Sequence, residues 1–259
     1  MTRRALAEGE GMIVVGLCGA QGIGKSTLAV GLKARFDATD APTALLSIDD
    51  LYRTRAERES LARTVHPLLL TRGVPGTHDV ALGLDIIARL ERGEGALLPR
   101  FDKAADDRLP ESRWERAFPG TRLLILEGWC VGARPEREEA LAAPINALER
   151  DEDPQGVWRG HANSALAGEY QALFARIDRL VLLAAPGFDV VLRWRRQQEE
   201  ALRADAAAGP GVMSDEQLAR FIQHYERITR HVLAEMPTRA DMVIALDEER
   251  RVREIRGKR

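Results

Sequence analysis

Residues 12–29, MIVV followed by GLCGAQGIGKSTLA, restrict this chain to very few folds. Gly19, Gly22 and Gly24 fall within six residues, and Lys25 and Ser26 follow directly. The spacing fits G-x-x-x-x-G-K-[ST] without a mismatch. An apolar β-branched run reads as a buried strand before it, and Leu28, Ala29, Leu32 and Phe36 recur at helical spacing after it. Strand, glycine-rich turn and helix start together aim free N–H groups at one point, with the helix dipole behind them. Gly19, Gln21, Gly22, Ile23, Gly24, Lys25, Ser26 and Thr27 form the expected phosphate cradle. Lys25 supplies a point charge to the β/γ phosphates of ATP, and the Ser26 hydroxyl a Mg²⁺ ligand. A plain strand-to-helix bend accounts for one or two of the glycines but not for the Lys-Ser pair in register.

Further strand-like runs at 43–48, 123–126, 180–184 and 242–246 alternate with helical patterns. The expected fold is therefore α/β, a parallel sheet of about five strands with helices on both faces. A length of 259 residues suits one such domain, 1–259. Residues 50–122 read as acceptor-site loops rather than a second core, and 187–213 as a lid. The acidic ERDED, 149–153, reads as a solvated turn. Ser214 to Gln217 reads as a capping box opening an amphipathic helix.

A formal net charge of −2 supplies no global field for nucleic acid or an anionic membrane. No run reaches the length of a membrane span. The basic start, MTRRALAEGEG, leads straight into the strand of the phosphate loop, so it is not read as a signal peptide. Two cysteines do not make a disulfide framework and read as small buried residues. The expected compartment is the cytoplasm.

Ligand sites in such sheets gather at the carboxyl ends of strands. The second strand ends in SIDDLY, where Asp49 is the candidate base for an acceptor hydroxyl and either aspartate is able to cap the following helix. The third ends in LLILEGWC, giving Glu127 the place of a Walker-B carboxylate beside Mg²⁺. After the fourth strand, VLRWRRQQEEALR gathers Arg193, Arg195, Arg196 and Arg203, either a phosphate-neutralising lid or a solvated helix with i,i+4 pairs such as Arg195–Glu199 and Arg196–Glu200. Arg195 is the lid candidate for catalysis.

SIDDLY, RGVPGTHD, PRFDKAADDR, LEGWCVG, RWRRQQEEALR and GVMSDEQLARFIQHY follow the phosphate loop in this order. Together they resemble the plant-type D-glycerate 3-kinases and their small fungal and bacterial relatives, and more distantly uridine kinase, phosphoribulokinase and pantothenate kinase. The resemblance runs over nearly the whole chain. It implies a P-loop kinase fold (the P-loop NTPase class) and transfer of the ATP γ-phosphate to a small hydroxylated molecule, with D-glycerate the leading acceptor and Asp49 the base. It also implies acceptor-side roles for Tyr52, Arg72, His78, Asp79, Lys103 and Arg108. Asp79 has the alternative of a helix N-cap, and His78 that of a satisfied loop histidine. Lys103 and Arg108 are expected to hold a substrate carboxylate or phosphate. The plant enzyme carries a large additional N-terminal region, whereas about twelve residues precede the first strand here, so the reaction type transfers more directly than the acceptor. Two other readings stand beside this one: a nucleoside or pantothenate kinase, and an ATP-binding switch with no small-molecule acceptor. The intact set Lys25, Ser26, Asp49 and Glu127 favours an enzyme, because a switch needs no acceptor-side base. The sequence leaves oligomeric state open.

Overall fold

The computed structural model describes residues 11–204 and 213–258, without the side chains of 198–199 and 201–204. The side chains of Arg203 and Glu199, and residues 205–212 of the expected lid, therefore lie outside what is described. Strands β1 (Ile13–Gly19), β2 (Thr43–Ser47), β7 (Leu123–Gly128), β8 (Arg179–Ala184), β9 (Met242–Leu246) and β10 (Val252–Gly257) form one sheet in the order β10-β9-β8-β1-β7-β2. The five expected strands are all present and pair in parallel. A sixth, β10, was not expected; it adds antiparallel at the edge.

All seven residues of β1 are buried, as a central strand covered on both faces requires. Val14 and Cys18 point to one core with Leu124, Leu126 and Leu182, while Val15 and Leu17 point to the other with Ile125 and Leu183. Helix α1 (Lys25–Asp37) packs Leu28, Ala29, Leu32 and Phe36 on the second face. Helices α3 (Val80–Glu91), α7 (Glu169–Phe174) and α9 (Asp215–Glu235) cover the first. Ser214 and Gln217 form the anticipated capping box of α9.

The 50–122 connection holds α2 (Arg55–Thr64), α3 and two short antiparallel ladders. In these, β3 (Ala96–Leu98) pairs with β6 (Glu115–Ala117), and β4 (Phe101–Asp102) with β5 (Asp107–Arg108). Leu68, Leu69 and Val74 from this connection join Leu148, Trp158 and Ala162 in a small satellite core, so the segment is more than loops. The 132–176 connection contains α4 (Glu138–Leu141), α5 (Ala147–Glu152) and α6 (Val157–Ala167) before α7. Here ERDED is not a solvated turn. Glu149 and Asp153 are fully buried, the first against Arg227 of α9 at 2.6 Å and the second against Arg159 at 2.9 Å. A buried carboxylate must be paired; Arg227 arrives from 78 residues away, whereas Arg159 lies six residues after Asp153.

Candidate active site

Because β7 lies between β1 and β2, the carboxyl ends of the three strands stand side by side. The turn after β1 is the phosphate loop. Gly22 and Gly24 have φ of 77° and 97°, a left-handed conformation that glycine adopts without strain. A Cβ on Gly22 would also lie 2.8 Å from that of Trp194 on α8 (Asp189–Ala204). Helix α1 then starts at Lys25 with no side chain capping its free N–H groups and no acid in its first turn. An uncapped, unneutralised helix start is what a phosphate requires.

The register that sets Leu17 and Ser47 on either side of Glu127 brings that carboxylate beneath the loop. Ser26 Oγ donates to Glu127 Oε1 at 2.8 Å, while Oε2 is buried with no hydrogen-bond partner. A buried, unsatisfied carboxylate oxygen beside a hydroxyl fits a divalent cation, with Ser26 and Glu127 as its protein side. No cluster of three or more metal-ligating side chains occurs among the described residues. The amide of Gln21 is likewise buried without a partner at the loop. Ile23 is buried, whereas Ser26 and Thr27 are exposed at the start of α1.

After β2 the chain turns through a short 3-10 helix, Ile48–Leu51, whose N-cap is Ser47. Neither aspartate caps it, and the tight turn sends the two carboxylates different ways. Asp49 accepts from Lys103 Nζ at 2.7 Å and from the Tyr52 hydroxyl at 3.1 Å. Burial alone would raise its pKa, but Lys103 and Lys25 hold it well below the usual carboxylate range. Asp50 instead accepts from the Phe101 backbone N–H and from Arg100, both at 3.1 Å, and so pins β4 against the strand end. Burial, with Asp49 adding to it, pushes the Asp50 carboxyl up to about 6 despite Arg100.

The remaining acceptor-side candidates form one wall with different duties. Tyr52 and His78 are buried, joined by an isolated backbone bridge, and their rings stack at 4.5 Å. Asp79 caps α3 through Leu82 N–H and also pairs with Arg108 at 3.2 Å. The expectation of a substrate cation at Arg108 needs correction. Its guanidinium is committed to Asp79 and to the Tyr52 carbonyl, at 3.1 and 2.8 Å, so it braces the backbone beside Asp49. Lys103 is the exposed cation of the pair, its side chain 62% accessible. Arg72 pairs with Asp106 and lies over the Phe101 ring. On α8, Arg193 pairs outward with Glu248 and Arg196 with Asp215 rather than with Glu200. Arg195 is half-buried, and its charge is felt at Tyr225, whose hydroxyl donates to the Arg72 carbonyl.

Comparison with known proteins identifies this arrangement. The chain is 37% identical to the uncharacterized kinase mug58 of Schizosaccharomyces pombe over 223 residues, covering 82% of this chain and 78% of that one. It is 31% identical over 257 residues to the chloroplastic D-glycerate 3-kinase of Arabidopsis thaliana, covering 92% of this chain but 53% of the plant protein. The chain belongs to the D-glycerate 3-kinase family and its small P-loop kinase relatives. No family model matches it. The solved D-glycerate 3-kinase of Cryptococcus neoformans shares the fold, with a TM-score of 0.82 at 24% identity over 99% of this chain and 94% of that one. The protein is thus a P-loop kinase, a phosphotransferase of a family that uses ATP and a small-molecule acceptor. No helix among the described residues is long and apolar enough to cross a membrane.

Sequence reading missed several residues that shape this kinase site. Arg58 of α2 is fully buried and donates to both the carboxylate and the carbonyl oxygen of Asp106, which fixes the loop bearing Lys103. Asp106 itself sits at φ 55°, a position that aspartate tolerates better than most. Arg250, in the turn between β9 and β10, reaches back to the phosphate loop. Tyr170 of α7 touches His78. Cys18 and Cys130 are both buried free thiols, with burial pushing Cys18 up to about 12, so neither is a reactive thiolate.

Proposed function

We propose that this kinase moves the γ-phosphate of ATP to a hydroxyl of a small hydroxy acid, with D-glycerate, giving 3-phosphoglycerate, the leading acceptor. The observation that carries the reading is Asp49, ionised and hydrogen-bonded at once by an exposed lysine and a buried tyrosine. An ionised carboxylate at this strand end is a base able to orient an acceptor hydroxyl and take its proton. Lys103 supplies a cation beside that base, suited to an acceptor that brings its own carboxylate. When such an acid enters, Lys103 exchanges the Asp49 contact for the substrate carboxylate and leaves Asp49 free to accept the hydroxyl proton. Lys25 and the N–H groups at the start of α1 neutralise charge on the transferring group. Ser26 and Glu127 hold Mg²⁺, which when bound offsets phosphate charge. The names of the Arabidopsis and Cryptococcus relatives support glycerate, and the buried protonated thiols suit the cytoplasm.

The test is ATP consumption by the purified protein against D-glycerate, L-glycerate, other hydroxy acids, nucleosides and pantothenate. D-glycerate should give the largest kcat/KM. Faster turnover with a nucleoside or pantothenate would move the chain to that class, and ATP hydrolysis unaffected by every acceptor would favour a switch.

A further inference from the structure

His78 is fully buried and carries one nitrogen with a partner and one without. Its Nδ1 lies 2.5 Å from the hydroxyl of Tyr170, while Nε2 is buried with no hydrogen bond. The proton positions follow from the surroundings of Tyr170. That hydroxyl is buried too, and burial keeps its phenol protonated far above the ordinary range. The backbone N–H of Gly76 donates to its oxygen at 3.0 Å. With the Gly76 N–H on its oxygen, the phenol has its own proton to give, and Nδ1 is the acceptor within reach. Nδ1 is then unprotonated. Burial also depresses the imidazolium pKa to about 3, against the pull of Asp49 and together with the repulsion of Arg53, so the ring is neutral. A neutral ring with a bare Nδ1 carries its proton on Nε2.

That N–H is a buried donor with nothing to donate to, which native interiors avoid unless a ligand or water completes it. It belongs to the wall of the acceptor site. The His78 ring stacks on Tyr52, whose hydroxyl is on Asp49, and the charge of Asp49 is felt at His78. We propose that Tyr170 is a positioning residue that fixes His78 as the Nε2–H tautomer, and that this N–H donates to an oxygen of the acceptor. This rests on the kinase reading above and adds to it a neutral donor opposite the cationic Lys103.

The tautomer is read in protein labelled with ¹⁵N-histidine, without any acceptor, and so stands or falls separately from the choice of glycerate. His78→Gln assigns the signal among the five histidines. Expected is an unprotonated Nδ1 and a protonated Nε2, with the Nε2–H resonance shifting when saturating D-glycerate, or the best acceptor of the panel, is added. Tyr170→Phe should raise acceptor KM about tenfold while kcat and ATP KM stay within twofold, and should release the tautomer from its single form. An Nδ1–H tautomer in the parent protein overturns the proposal. So does an Nε2–H resonance that ignores the acceptor, as it would if only a buried water met it. Equal changes in both KM values in a folded Tyr170→Phe protein would reduce Tyr170 to a structural part.

Discussion

Arg250 donates from Nε to the carbonyl oxygen of Gly22 at 2.7 Å, so the turn between the last two strands braces the phosphate loop from the far end of the chain. The same guanidinium lies over the Trp194 ring at 5.1 Å, and Arg250 itself holds φ at 63°. A charge-assisted hydrogen bond is worth about 1.5–3 kcal/mol. Arg250→Ala should therefore raise ATP KM about ten- to a hundredfold, with acceptor KM unchanged. Unaltered ATP KM in a folded variant would show that the loop keeps its shape unaided.

Lys25→Ala should abolish phosphoryl transfer and leave the fold intact, since the backbone N–H groups of the loop remain but the charge beside the transferring phosphate does not. Circular dichroism with a coupled ADP assay checks both halves. Near-normal turnover would sink the phosphate-loop assignment.

The adjacent aspartates should separate cleanly. Asp49→Asn should cut turnover by about 10²–10⁴, the range for loss of a general base, with ATP KM within a few-fold. Asp50→Asn retains an acceptor for the Phe101 N–H and should keep turnover within about fivefold. Glu127→Gln should shift the Mg²⁺ concentration needed for half-maximal rate.

Asp50 also predicts a pH effect on stability. Its folded pKa, about 6, lies above the ordinary value of 3.8, so between those values the native state binds more protons than the unfolded chain. Stability from this group is present below about 3.8 and is lost as pH rises towards 6 and beyond, by an amount on the order of 3 kcal/mol. Urea unfolding at pH 4 and pH 7.5 should show Asp50→Asn gaining on the parent protein at the higher pH. A difference that stays flat across that window contradicts the assignment.

Lys103 and Arg108, both cations of one short segment, should fail in opposite ways. Lys103→Ala removes an exposed side chain, so stability should change by under about 1 kcal/mol while acceptor KM rises about tenfold. Arg108→Ala strands the Tyr52 carbonyl and the Asp79 carboxylate in a site where the arginine is 13% exposed. It should cost about 2–4 kcal/mol of stability. Denaturation midpoints and acceptor KM for the two proteins decide the matter.

What could be read from the sequence was chemistry carried by neighbours in the chain. The phosphate loop is a contiguous run, Glu127 lies in the last two residues of an apolar strand and Asp49 two residues past the end of another, so their place at the sheet's carboxyl edge follows from the strands themselves. Arg58 had no such signal. Its helix, RAERESLART, offers Arg55, Arg58 and Arg63, and what buries Arg58 is Asp106, 48 residues away. Glu149 was misread for the same reason, since Arg227 lies 78 residues from it. Strand β10 escaped notice because all six of its residues are exposed and no apolar alternation marks it. Arg250 and Tyr170 act through contacts that only the folded chain creates.

The sheet order carries a cost during synthesis. Among the described strands β1 is the first made; it ends up between β7 and β8, yet its earlier partner does not begin until Leu123. At ~5–20 residues per second, the stretch from Gly19 to Leu123 keeps the IVVGLCG strand without its neighbour for roughly 5–20 s. An unpaired, uncharged, β-branched segment of that length has the composition of an aggregation-prone window. Shielding of the emerging chain, by a chaperone or by the ribosome surface, therefore matters more for the yield of this enzyme than the stability of the finished fold would suggest.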